Sequence, residues 1–204
     1  MIKVGLIGYG NWGKILHRNL MSMCSVEFIC RSTDDYQSKL KDVDWVVVAT
    51  PDKTHYEIVK NCLWFGKNVF CEKPLTPTHE QSEKLFRLAK MRNLNLYVDD
   101  IQNYREYDFE IMEHNLVERR KGGGGDIQGI LCSLTYHDLY VLYKHIKNSE
   151  IENVSLIDNN NKLHFTVKFN DINIEFLYDL NSESVEHRIN GCSLRGKDNI
   201  IPKM

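Results

Sequence analysis

At 204 residues the chain is long enough to bury about 70 % of its unfolded surface, which admits one sizeable domain or two small ones. Its 26 basic and 28 acidic residues leave a formal charge of -2 with the signs interspersed, which argues against a nucleic-acid or anionic-membrane footprint. No apolar run approaches bilayer length and no signal-peptide pattern opens the chain, so a cytoplasmic protein without membrane or nucleic-acid partners is expected.

The chain opens with a short apolar strand, Lys3-Val-Gly-Leu-Ile, that runs directly into Gly8-Tyr-Gly10-Asn11-Trp12-Gly13 and then into a helical stretch at 14–20. A GxGxxG turn between strand and helix is the first turn of a dinucleotide-binding βαβ unit. Gly8 permits the tight turn, Gly10 lets backbone approach a pyrophosphate, and Gly13 lets the helix lie against the strand. The phosphates then meet unpaired amides at the positive end of the helix. Residues 26–30 read as the second strand, and 45–49 as a continuous apolar strand buried on both faces. A helix over 53–65 carries Ile58, Val59, Cys62 and Leu63 at helical spacing and ends at Gly66. A strand at 68–71 follows, then a helix from the Thr78/Gln81 capping box to about residue 92, then a strand at 95–98. This alternation predicts a Rossmann-type doubly wound parallel sheet over residues 1–98, with ligands beyond the carboxyl ends of its strands.

Residues 99–204 change character and predict a small α+β domain with a mostly antiparallel sheet. A helix is expected over 107–119, then the charged run Glu118-Arg-Arg-Lys121 and a flexible tetraglycine loop, Gly122 to Gly125. A second helix at 136–147 precedes alternating strands at 153–158, 163–169 and 172–178. Asn159 to Asn161 and Asn170-Asp171 supply the hairpin turns, and 185–194 adds an edge strand. Six cysteines stand singly without paired metal-ligand spacing, which predicts reduced, buried thiols and no metal.

Three patches resemble the Gfo/Idh/MocA family of NAD(P)-dependent oxidoreductases: Val4 to Gly13, Val46-Val-Val-Ala-Thr50-Pro51 with Thr54-His55, and Lys67-Asn-Val-Phe-Cys-Glu72-Lys73-Pro74. In the second half Tyr136-His137-Asp138-Leu139 is similar to the family's His-Asp segment. The resemblance implies coenzyme contacts from Gly8, Gly10, Asn11, Trp12, Gly13, Thr50, Pro51, His55, Glu72 and Lys73. It implies that Lys73 lies between nicotinamide and substrate hydroxyl, where a cation orients the oxygen and stabilises developing charge. His137 is then the candidate general base, since imidazole titrates near neutrality.

Three departures from the family pattern bear on function. The family's aspartate one helical turn before this histidine is Ser133 here, so Asp138 or Asp126 substitutes, or activity is weak or absent; Asp99 and Asp100 are further candidates for the cleft. After the second strand stand Arg31, Ser32 and Thr33 rather than an acid, which favours NADP with NAD as the alternative, and the trimmed segment 33–44 narrows the adenine side. The second domain is shorter than the family's, and its sheet would gain cover from a second copy, so a homodimer is expected. The resemblance implies a sugar or nucleotide-sugar dehydrogenase, with a place in surface-polysaccharide synthesis suggested by the Gly-Asn-Trp-Gly element. A catalytically inactive dinucleotide-binding regulator or sensor and a glycosidase that uses tightly held NAD are the rivals.

Overall fold

The computed structural model describes residues 1–31, 33–100, 107, 109–120, 134–146, 150–158 and 162–194. The chain divides into two compact units, Met1–Asp100 and Ile101–Met204.

In the first unit β1 (Lys3–Ile7), α1 (Asn11–Leu20), β2 (Ser25–Cys30), β3 (Trp45–Val48), α2 (His55–Trp64), β4 (Asn68–Glu72), α3 (His79–Met91) and β5 (Leu96–Asp99) follow one another. All strand pairs are parallel, in the order β2-β1-β3-β4-β5. β1 and β3 are apolar on both faces because helices cover both. Ile7, Val46, Val48, Val69 and Cys71 pack on Ile58, Val59 and Leu63 of α2 and Leu85 of α3, while Val4, Leu6 and Val47 pack on Leu16 and Leu20 of α1. The element boundaries follow local chemistry. The Thr78 hydroxyl accepts from the Gln81 amide to start α3, and Gly66, with φ of 74°, closes the turn after α2. Among the described residues between β2 and β3 the one helical element is a 3-10 turn, Gln37–Asp42.

The second unit contains β6 (His114–Arg120), α4 (Tyr136–Ile146), β7 (Ile151–Asp158), β8 (Lys162–Phe169), β9 (Ile172–Asp179), β10 (Glu186–Ile189) and β11 (Cys192–Ser193). The strand order is β11-β10-β6-β9-β8-β7, antiparallel except for the parallel β6–β9 pair. Period-two alternation puts Leu163, Phe165, Val167 and Phe169 of β8 and Ile174, Phe176 and Tyr178 of β9 on one face, against Val141, Leu142 and Ile146 of α4. Cross-strand partners Phe165 and Phe176 stack with ring centroids 4.4 Å apart.

Two expectations are corrected. The helix expected over 107–119 is absent among the described residues, and β6 occupies His114–Arg120 instead. Its apolar residues suit either period. Pairing with β9 on one side and β10 on the other satisfies its amides as a central strand, and Asn115, bonded to both the amide and the carbonyl of Met112, fixes the chain's entry. The single edge strand expected over 185–194 is a hairpin of β10 and β11, turned by Asn190 and Gly191 at φ of 50° and 80°. Ser32, the tetraglycine stretch, Asp126 and Ser133 lie outside the described residues. Among the described residues no helix is long and apolar enough to cross a membrane.

Candidate functional site

The three glycines after β1 are glycine for different reasons. Gly8 has φ of 106°, and a Cβ on it would lie 2.3 Å from the Ala49 carbonyl oxygen. A Cβ on Gly13 would lie 2.1 Å from the Gly8 carbonyl oxygen, so this residue sets how closely α1 approaches the turn. Gly10 is extended, with φ of -75° and ψ of -167°, and a Cβ there would meet no atom of the chain within 4 Å. The fold itself therefore does not require glycine at position 10. Its open side lies at the N-terminus of α1, where no side chain caps the helix and no acid stands in the first turn. The amides of that turn and the positive end of the helix dipole suit a diphosphate brought close to bare backbone. Strand order reverses between β1 and β3, and the Gly8–Ala49 contact marks that crevice.

Thr50 and Pro51 follow β3 on the same side. His55, 1 % exposed, sets Nε2 2.7 Å from the Thr50 carbonyl oxygen and Nδ1 2.8 Å from that of Pro74. It thereby fastens the turn after β3 to the turn after β4, and its part in the site is to hold the walls. Thr54 Oγ1 donates to Thr50 Oγ1 at 2.7 Å and steadies the same turn.

Glu72 ends β4 and Lys73 follows it, half-buried, with a cis peptide to Pro74. Trp12 Nε1 donates to Glu72 Oε1, which ties the first turn of α1 to the end of β4. Asp99 is the cross-strand partner of Glu72 and is hydrogen-bonded to it. Burial pushes the Glu72 carboxyl up to about 7; the Trp12 N–H pulls the other way and the charge of Asp99 adds to the rise. At the end of β2, Arg31 is exposed, and the Asp34 carboxylate accepts from the Arg31 amide at 2.7 Å. Sequence reasoning looked for an acid directly after β2 and missed this one, which a turn brings back from three residues on.

In the second unit His137 stands second in α4, half-buried. Its neighbour Asp138 is fully buried and accepts four hydrogen bonds: from Arg119 Nε at 2.8 Å and Nη2 at 2.7 Å, from Tyr178 Oη at 2.5 Å and from His187 Nε2 at 2.6 Å. A carboxylate has about four lone-pair sites. Asp138 is thus fully occupied in fastening α4 to β6, β9 and β10, and has no acceptor capacity left to orient His137. Of the two stand-ins considered for the absent acid, this one is removed. Burial pushes Asp138 up, but the bonds from His187 and Arg119 outweigh it and hold the group below its ordinary range. Burial lowers His187, against the pull of Asp138, and pushes the Tyr178 hydroxyl well up. Of this group the sequence singled out Asp138 alone; Arg119, Tyr178 and His187 come together through the pairing of β6 with β9 and β10, and α4 brings Asp138 to them. Among the described residues, no three His, Cys, Asp or Glu side chains gather to hold a metal ion.

A parallel sheet with this strand order, a glycine turn at its reversal and an uncapped helix beyond it define a dinucleotide-binding α/β unit. Residues 24–100 match the model of the oxidoreductase family with an NAD-binding Rossmann fold, Gfo/Idh/MocA. An uncharacterized oxidoreductase of Schizosaccharomyces pombe is 47 % identical over 114 residues, 47 % of this chain and 30 % of that protein. The scyllo-inositol 2-dehydrogenase (NADP(+)) IolW of Bacillus subtilis is 31 % identical over 116 residues, 48 % of this chain and 32 % of that protein. The matches thus cover about a third of the length of either relative. Among solved structures, UDP-N-acetylglucosamine 3-dehydrogenase GnnA from Acidithiobacillus ferrooxidans shares the fold with a TM-score of 0.76 at 17 % identity, over 92 % of this chain and 72 % of that one. GenD2 from gentamicin A biosynthesis, in complex with NAD, does so with a TM-score of 0.76 at 18 % identity, over 92 % and 68 %.

Proposed function

We propose that this protein is an NAD(P)-dependent oxidoreductase that moves a hydride between the nicotinamide and a secondary hydroxyl or ketone of a sugar or nucleotide sugar. The observation that carries the reading is the open side of Gly10 at the uncapped start of α1. The coenzyme, when bound, supplies the hydride acceptor or donor. The amides of Asn11, Trp12 and Gly13 would hold its diphosphate, and Thr50 and Pro51 would line its path along the strand ends toward Lys73. Lys73 would orient the substrate oxygen and stabilise negative charge on it, and His137 would take or return the hydroxyl proton. The sugar class is supported by the names of the relatives, which include an inositol and a UDP-N-acetylglucosamine dehydrogenase.

NADP is the proposed coenzyme, because the exposed Arg31 at the end of β2 suits a 2′-phosphate. The Asp34 carboxylate beside it suits a free ribose hydroxyl and keeps NAD as the alternative. We propose a cytoplasmic homodimer; the dimer is supported by the long edge strand β7, on which Ile151 and Val154 are exposed. A dinucleotide-binding regulator with little or no turnover is the second reading, and the saturation of Asp138 favours it, because that residue cannot replace the acid missing at Ser133.

The test follows nicotinamide absorbance across a panel of sugars and nucleotide sugars with the wild type, Lys73→Ala and His137→Ala. Turnover that falls about a hundredfold in either variant supports the enzyme. Coenzyme binding without turnover supports the regulator, and turnover unchanged in both variants removes the proposed roles.

A further inference from the structure

Beyond the reading of unit 1 as a coenzyme site, on which this inference rests, we propose that Asp99 is a specificity-determining residue. By sharing one proton with Glu72 it sets the preference between oxidised and reduced coenzyme and ties that preference to pH.

The geometry is that of a carboxyl pair. Glu72 and Asp99 are the last register partners of the parallel β4–β5 pair, and their side chains are hydrogen-bonded to each other. Two carboxyls can bond directly only if one of them keeps its proton, since a carboxylate has acceptors and no donor. Trp12 Nε1, a donor only, bonds Glu72 Oε1 and links the pair to the helix turn that carries Gly10. Among the described residues the charged groups facing the pair are few. Lys73 on the adjoining turn favours ionisation of Glu72, and Asp100, 1 % exposed at the end of β5, opposes ionisation of Asp99. Cys71 precedes Glu72 on β4 and is itself pushed well up by burial, so it brings no charge. His55 is spent on the carbonyl oxygens of Thr50 and Pro74.

The pair therefore carries one negative charge while the shared proton is held and two once it has left to solvent. Burial places that loss for Glu72 at about 7, and Asp99 is raised by burial as well. The oxidised nicotinamide ring carries one positive charge that the reduced ring lacks, while the rest of the coenzyme is the same. Loss of the proton must then favour the oxidised form over the reduced one. By linkage, binding the oxidised form must release part of a proton. Only the carboxyl O–H bond breaks.

The experiment measures Kd for oxidised and reduced NADP and NAD at about pH 6 and about pH 8.5, in the wild type, Asp99→Asn and Glu72→Gln. In parallel, tryptophan fluorescence of the coenzyme-free protein is titrated over the same range. The expected result is a ratio of reduced to oxidised Kd that rises about fivefold with pH in the wild type, rises less in Asp99→Asn, where burial alone raises Glu72, and stays flat in Glu72→Gln. The expected fluorescence titrates near neutrality in the wild type and loses that step in Glu72→Gln, which needs no coenzyme to be seen. Coenzyme binding with a flat ratio in the wild type overturns this inference alone, as does a ratio that rises equally in Asp99→Asn. Failure of every coenzyme form to bind at either pH overturns both this inference and the coenzyme reading beneath it.

Discussion

Replacing each glycine of the turn by alanine separates what the fold needs from what a ligand needs. Gly8→Ala places a side chain at φ of 106° and within 2.3 Å of the Ala49 carbonyl oxygen. The backbone strain alone costs about 1–2 kcal/mol, and the backbone contact, which no side-chain rotation relieves, brings the loss to about 3 kcal/mol or more. Gly13→Ala gains up to about 1 kcal/mol of helix propensity but pushes a Cβ to 2.1 Å from the Gly8 carbonyl oxygen, so it too destabilises. Gly10→Ala meets nothing within 4 Å in an extended conformation that alanine adopts freely, and its stability should change by less than about 1 kcal/mol. Thermal unfolding should rank them accordingly, with Gly8→Ala lower by about 12 °C or more and Gly10→Ala within a few degrees of the wild type. Coenzyme titration should invert the picture for Gly10→Ala, which folds normally yet loses about tenfold or more in affinity because its methyl stands where the diphosphate must approach. A Gly10→Ala protein that binds NADP and NAD as the wild type does would refute the placement of the diphosphate.

Further outcomes concern the second unit and the pH behaviour of both. Asp138→Asn leaves the Arg119 guanidinium, 13 % exposed, without its counter-charge and should cost about 3–5 kcal/mol in urea unfolding. Tyr178→Phe, which removes one of four bonds to the same carboxylate, should cost about 1–3 kcal/mol. The two units should respond to pH in opposite directions. Folding raises Glu72 from an ordinary 4.5 to about 7, so its contribution is complete below about 4.5 and is lost as pH rises through about 7. Folding lowers His187 from an ordinary 6.5, so its contribution is complete above about 6.5 and is lost as pH falls through the folded value. Hydrogen exchange followed peptide by peptide, corrected for intrinsic rates, should show unit 1 gaining protection and unit 2 losing it between about pH 8 and about pH 5.5; protection that moves together in both units contradicts these assignments.

The first hundred residues were readable because local and global signals agree there. Trp45 to Val48 is a run of apolar, mostly β-branched residues that only a strand covered on both faces can use, and Thr78, Gly66 and Gly8 mark boundaries through their own backbone chemistry. The glycine turn and the residues after β3 and β4 were legible for the same reason, each falling at a strand end. Pairings between distant residues were not legible. β6 reads as a helix because its central place depends on β9 and β10, far along the chain, and nothing local distinguishes the two periods in Leu116 and Val117. The bond from Trp12 to Glu72 joins two residues 60 apart, each singled out for a ligand and neither for the other. Arg119, Tyr178 and His187 reach Asp138 across separations of 19, 40 and 49 residues, and an arginine in a charged run gives no sign that it will be buried. The Asp34 carboxylate folds back through a short turn, so a rule that inspects the residue next to the strand end passes over it.

The most direct test of the account is equilibrium binding of NADP and NAD, oxidised and reduced, to the purified chain by calorimetry at neutral pH. The account predicts saturable binding of one coenzyme per chain with a Kd of about 100 μM or tighter, weakened in Gly10→Ala. Heats that show no saturation for any of the four forms, from a protein whose circular dichroism shows the folded α/β structure, would contradict it.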